Sequence, residues 1–220
     1  MIFLLMALLL LVLLPFVFAN VLAVAMLKLG LDPRVALMLV FGMFLGGAVN
    51  IPIKRIPRED LVAAHPLAVF GLHRLWPQMF LRRETVIAVN VGGCLIPSGL
   101  AVYEMVRLLA NGGFVLFPLV VAISLNIAVC YFIARPEPQV GIRMRPIFPA
   151  LAAALAASFL LPDHAPSLAL VAGVLGPLIG ADLLHLRDFV RETTTGFASI
   201  GGAGSFDGIV FSAILAVYLA

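Results

Sequence analysis

Two of the eleven acidic residues stand inside apolar runs. Asp182 lies in Leu178-Ile179-Gly180-Ala181-Asp182-Leu183-Leu184, and Asp207 lies in Gly201-Gly202-Ala203-Gly204-Ser205-Phe206-Asp207-Gly208-Ile209. Two carboxyls held close together share one proton, because both cannot ionise side by side. One member then acts as base and the other as acid. That division can activate water against a peptide carbonyl, or hand a proton along a path. Such a pair titrates jointly, so neither acid has a pKa of its own. The catalytic candidates are therefore Asp182 and Asp207. Gly180, Gly201, Gly202, Gly204 and Gly208 leave room beside them for a helix or an extended substrate. Together with Asn90 and Pro149 they are the candidates for lining a cavity.

The elements that must position these residues follow from composition. Apolar residues make up 63% of the 220 and charged residues 11%, about half the charge usual in a soluble domain. The apolar residues come in runs near the roughly 20 that a helix needs to cross a 30 Å hydrocarbon core. These features predict an all-α fold, a polytopic transmembrane bundle of seven spans forming one integral membrane domain over residues 1–220. The spans are Ile2–Leu27, Val35–Ile53, Thr85–Leu109, Phe114–Ala134, Ile147–Leu161, Ala165–Leu186 and Gly201–Ala220. The first is read as a retained span and not a cleaved signal, because no Lys or Arg precedes it and its apolar run continues to Leu27. The second contains Gly42 and Gly46 at GxxxG spacing, which predicts close packing of another helix. The third carries Asn90-Val91-Gly92-Gly93 and Ile96-Pro97-Ser98-Gly99, so it is predicted to break, with the break covered by protein or water. Residues 54–84 mix basic groups with Leu, Phe and Trp76, a pattern expected of a polar segment lying along the membrane interface.

Loop charge orients the bundle. Lys28, Arg34 and Arg107 fall on one side, and the other eleven of the 14 Lys and Arg residues fall in the connections 54–84, 135–146 and 187–200. Short connections rich in Lys and Arg stay in the cytoplasm. The expectation is a multi-pass protein of the cytoplasmic membrane, N-terminus inside and C-terminus outside. At 1.5 Å per residue Asp182 then lies about 7 Å below the cytoplasmic end of its span, and Asp207 about 9 Å into the next. Consecutive spans run antiparallel, so both acids approach one level. Were Asp207 only a helix cap, the helix after it would cover about 20 Å, short of the apolar core.

The other polar residues in apolar runs have simpler readings. Cys94 and Cys130 show no metal or redox spacing and are expected to pack as small apolar groups. Asn50, Asn90 and Asn126 are expected to bond across helices. His185 lies three residues after Asp182, on the same helical face. With both acids it would supply three metal ligands, so an interfacial role is preferred and no metal site is assigned. His65 and His73 carry no assigned role. There is no phosphate loop, dinucleotide fingerprint, nucleophile elbow or His-Glu-x-x-His, so no cofactor is expected. The net charge of +3 reads as loop bias, so the expected partners are membrane lipids and a transmembrane peptide or protein, not nucleic acid. Nothing in the chain specifies an oligomeric state.

Ile179-Gly180-Ala181-Asp182-Leu183-Leu184, then Ser199-Ile200-Gly201-Gly202-Ala203-Gly204, then Phe206-Asp207-Gly208 resemble the prokaryotic membrane family known as domain of unknown function 1614. Ala48-Val49-Asn50-Ile51-Pro52 and Asn90-Val91-Gly92-Gly93-Cys94-Leu95-Ile96-Pro97 resemble it as well. That family implies no activity. Asp182 together with Gly202-Ala203-Gly204 also resembles the intramembrane aspartyl proteases of the presenilin, signal-peptide-peptidase and prepilin-peptidase group. Those carry one Asp in a span and a Gly-x-Gly-Asp run opening a later one; here Asp207 follows two residues late. Pro149-Ala150-Leu151 matches the Pro-Ala-Leu motif of the presenilin-like members, although it precedes both acids. The second resemblance implies peptide hydrolysis within the membrane by Asp182 and Asp207. The alternatives are a proton- or cation-coupled transporter using the same acids as a relay, and a structural membrane protein whose acids lock helices.

Overall fold

A computed structural model of the chain describes residues 20–61, 80–110, 112–137, 141–192, 197–202 and 208–220, with isolated positions 6, 13 and 17. The described chain is mostly helical. Residues 20–28 form α1. Helix α2, Pro33–Gly46, starts on Asp32, whose carboxylate accepts the Arg34 N–H at 2.8 Å. Pro33 sits in its first turn, where a missing N–H is harmless. Helix α3, Ile96–Ala110, continues a π-helical turn, Val91–Leu95. Helices α4, Leu116–Ile133, and α5, Ile147–Leu160, follow. Helix α6, Ala165–Leu175, runs through a π-helical stretch, Gly176–Leu183, into α7, Leu184–Glu192. Helix α8 is Gly208–Leu219.

Among the described residues three helical bodies are long and apolar enough to cross a membrane: Val91–Ala110, Gly113–Ile133 and Pro162–Phe189. Pro33–Gly46, Ile147–Leu160 and Gly208–Leu219 are apolar but shorter. The outer surface carries large apolar side chains, with Phe114 98%, Phe159 83% and Phe132 81% exposed. Such a surface is costly in water and suits lipid.

The all-α expectation needs correction. Strand β1, Asn50–Leu61, pairs antiparallel with β2, Phe80–Asn90, from Asn50 opposite Asn90 to Leu61 opposite Phe80. A further strand, Phe197–Ile200, pairs parallel with β2, Val86 opposite Phe197 through Val89 opposite Ile200. Between them in sequence a short hairpin joins β3, Arg135–Glu137, to β4, Gly141–Arg143; Phe197–Ile200 is therefore β5. Both ends of the expected interfacial segment are thus strand, while 62–79, with His65, His73 and Trp76, lies outside the described residues. The physical reason is legible afterwards. Ile51, Ile53, Ile56, Thr85, Val86, Ile87 and Val89 favour extended backbone. Pro52 and Pro57, which argue against a central strand, fall on β1 at the sheet edge, and the register slips between Pro52 and Lys54.

The predicted break in the third span is present but begins earlier than Gly92. The chain is strand to Asn90, makes its π turn through Leu95, and is α-helical from Ile96. Pro97, which has no N–H to give back to the preceding turn, falls where the π turn passes into α3, and Gly99 lies in the first turn of α3.

Helix α6 is the axis of the core. Its faces meet α3, α4, α5 and α8. Leu22, Met26, Val40, Met43, Leu100, Leu170, Val174 and Ile214 form one buried cluster. A second joins Leu108 and Leu119 to the alanines of α5 and α6. Small residues set the spacing: a Cβ on Gly173 would come within 2.9 Å of Ala213 Cα. At the far ends of α3 and α8, Arg107 Nη1 donates to Leu29 O at 2.6 Å and Lys28 Nζ donates to Tyr218 O at 2.8 Å. The sheet lies at the other end of these helices.

Candidate functional site

The beginning of β1, the end of β2 and the end of β5 converge where α2 stops and α3 starts. Asn90 is fully buried there. Its Nδ2 donates to Gly47 O at 2.7 Å and to Asn50 Oδ1 at 3.1 Å, and its Oδ1 accepts the Gly93 N–H at 2.7 Å. One side chain thus satisfies the Gly47 carbonyl where α2 ends and the Gly93 N–H where the π turn begins. Asn50 Oδ1 lies 2.6 Å from Ser199 Oγ, which also lies 2.8 Å from Gly202 O and can donate its proton to either.

Gly46 and Gly92 let two backbones touch. A Cβ on Gly46 would lie 2.9 Å from Gly92 N, and one on Gly92 would collide with Met43 O and Gly47 N. The GxxxG expectation for Gly42 and Gly46 holds, with the start of α3 as the partner: a Cβ on Gly42 would stand 3.2 Å from Ile96 Cδ1.

Asp182 is half-buried in the π-helical stretch that joins α6 to α7. Its Oδ2 accepts the Gly201 N–H at 3.0 Å. A π turn holds one more residue per turn than an α turn and commonly marks a functional position. Next to it Ala181 packs with Cys130, Ala134, Ile142 and Met144. Gly201 has φ 82° and Gly202 φ 85°, a region that favours glycine. A Cβ on Gly201 would also come within 2.8 Å of Cys94 N. The acid of one helix and the glycine turn leading toward the next are therefore in direct contact. Asp207 and Gly204 lie outside the described residues.

The remaining candidates have protein for neighbours. The space beside Gly180 is filled by Ile127 O and Cys130 Cβ of α4, and that beside Gly208 by Met144 Cε at 3.3 Å. Pro149 is buried in the first turn of α5. His185 Nδ1 lies 3.1 Å from both Gly180 O and Ala181 O, and its ring rests on Tyr131 at 4.8 Å between centroids. Asn126 Nδ2 donates to Ala172 O at 2.7 Å, the expected interhelical bond. Cys94 and Cys130 are buried and form no disulfide.

Two features escaped the sequence reading. Ser199 is one, a hydroxyl in a Thr- and Ser-rich connection with nothing to single it out. Glu104 is the other. Grouped with the acids near span ends, it is fully buried in α3, with Arg107 Nη1 3.3 Å from its Oε1. Its spacing from Arg107, i and i+3 within an apolar helix, was the available signal.

The family described as "Protein of unknown function (DUF1614)" matches residues 44–219. The match bears out the first of the two resemblances and lends no support to the peptidase resemblance. No curated protein and no solved structure matches the chain.

Proposed function

We propose that this chain, which belongs to the DUF1614 family, is an intramembrane aspartyl-type peptidase whose acids are Asp182 and Asp207. The observation that supports this reading is the 3.0 Å bond from Gly201 N–H to Asp182 Oδ2. It ties the first acid to the glycine turn that precedes the second by six residues. One carboxylate takes a proton from water while the oxygen of that water bonds to the peptide carbonyl carbon. The other carboxyl gives its proton to the carbonyl oxygen. Collapse of the tetrahedral intermediate breaks the C–N bond, and the proton held by the base passes to the leaving amine. The substrate class is a transmembrane peptide entering in extended form.

The reading includes seven crossings with the N-terminus in the cytoplasm and the C-terminus outside. Three of these crossings combine a helix with a strand: α2 with β1, β2 with α3, and β5 with α8. Helices of 14 and 12 residues reach only about 21 and 18 Å. Extended backbone completes the distance, and pairing within one sheet satisfies the N–H and C=O groups of the central strand β2 and those of β1 and β5 that face it.

The test incubates purified chain with a panel of transmembrane peptides in detergent. Wild type should cleave at least one, and Asp182→Asn and Asp207→Asn should each abolish cleavage. Cleavage that survives in both variants would refute the reading.

The interrupted helices favour a second reading, a proton or cation relay through the same acids. Vesicles containing the chain and a pH-sensitive dye distinguish it. Ion-coupled proton flux lost in both variants, with no peptide cut by wild type, would establish transport in place of hydrolysis.

A further inference from the structure

The end of α4, the β3–β4 hairpin and the start of α5 enclose a cleft of about 540 Å³. Phe132, Arg135, Glu137, Arg143, Arg145 and Phe148 line it. Arg135 and Arg143 are directly opposite one another across the hairpin. Like charges in that position repel and weaken a two-stranded pair. Glu137 offsets part of the charge, lying 3.3 Å from Arg143 Nη1. Among the described residues Arg135 and Arg145 have no carboxylate partner. Three guanidiniums around one carboxylate leave an excess of positive charge in a concave site.

We propose that this cleft binds the phosphate headgroup of an anionic phospholipid. Guanidinium forks match phosphate oxygens two at a time, and an anion between Arg135 and Arg143 would turn repulsion into bridging. Helix α5 begins at the cleft with no side chain capping its first turn, so its N–H groups add to the attraction for an anion. The flanking residues identify the source as lipid and not free phosphate. Phe132 is 81% and Phe148 49% exposed beside the arginines. Aromatic rings there are placed to meet acyl chains while the headgroup sits in the cleft. The hairpin belongs to a connection on the basic side of the chain, where basic pockets between helices take anionic headgroups. Met144 lines the cleft and also abuts Gly208, so an occupied cleft braces the start of α8. The proposal does not rest on the peptidase reading.

The experiment reconstitutes the full chain into nanodiscs of phosphatidylcholine, with or without phosphatidylglycerol. Thermal unfolding and native mass spectrometry then read stability and retained lipid. Wild type and Arg34→Gln, a control on the opposite connection, should both unfold at higher temperature with phosphatidylglycerol present and retain it. Arg135→Gln/Arg145→Gln should retain it on the order of tenfold less. If that variant fails to fold, Arg135→Lys/Arg145→Lys keeps the charge and loses the fork, and its retention should still fall several-fold. Equal retention by wild type and the folded double variant would overturn the proposal. So would a full thermal shift from inorganic phosphate alone in phosphatidylcholine discs, which would mark the cleft as a free-anion site.

Discussion

At the scale of single residues, the two roles of Asp182 can be separated by what replaces it. Its carboxylate holds the Gly201 N–H at 3.0 Å. Asn keeps an oxygen that accepts the same bond, so Asp182→Asn should unfold within a few degrees of wild type while losing any proton chemistry. Asp182→Ala leaves a half-buried N–H without its partner and should cost about 1–3 kcal/mol in detergent unfolding. Equal stability of the two variants would mean that the tether contributes nothing. Glu104 presents the opposite case. It is fully buried and paired with an Arg107 side chain that is 47% exposed. Glu104→Gln removes a buried charge and leaves Arg107 its bond to Leu29 O, so it should be tolerated. Arg107→Ala strands a carboxylate in the core and should cost about 3 kcal/mol or more. The order of the two unfolding midpoints checks this argument, and a reversed order would refute it.

At the scale of elements, two glycines of the helical body Val91–Ala110 make a matched pair. Gly92 stands at the crossing of two backbones, where any Cβ meets Met43 O and Gly47 N, while Gly99 has open space around it. Gly92→Ala should push α2 and α3 apart and prevent accumulation of folded protein, since main chain cannot rotate away as a side chain can. Gly99→Ala should be neutral, or stabilise α3 by about 0.5–1 kcal/mol. Yield of monodisperse protein and its unfolding midpoint measure both. The same geometry explains why the third apolar run breaks where it does. Asn90 bonds to Gly47 O and Gly93 N–H, so the break is held by a side chain and not merely permitted by glycine.

At the scale of the whole molecule, the loop charges predict an odd number of crossings. A reporter fused after Ala220 should be active only on the external side. A cysteine at Gln139 should react with an impermeant reagent only when the reagent reaches the cytoplasmic face. Activity of the C-terminal reporter in the cytoplasm would remove one crossing from the seven. At the end of the bundle away from the sheet Lys28 bonds to Tyr218 O and Arg107 bonds to Leu29 O, and Lys28 and Arg107 belong to the minority set of basic residues.

Composition and apolar run length alone determined that most of this chain is helical and suited to a membrane. Both are local properties: a run such as Gly113–Ile133 has a hydropathy independent of its neighbours. Spacing likewise determined that something packs against Gly42 and Gly46, and that the third apolar run breaks near its glycines. The sheet was decided only by tertiary structure. Residues 85–90 are as apolar as the helix that they extend, and hydropathy does not distinguish a buried strand from the last turn of a span. Pairing across 40 residues between Asn50 and Asn90, and from β2 to β5 farther along the chain, depends on contacts that no local window contains. The same limit applies to the site. Asp182 was legible because an acid in an apolar run is costly wherever it stands. That its oxygen meets the Gly201 N–H follows from a π turn on one helix and a left-handed glycine pair beside another. Neither is encoded at any single position, because each exists only when the two segments are packed together.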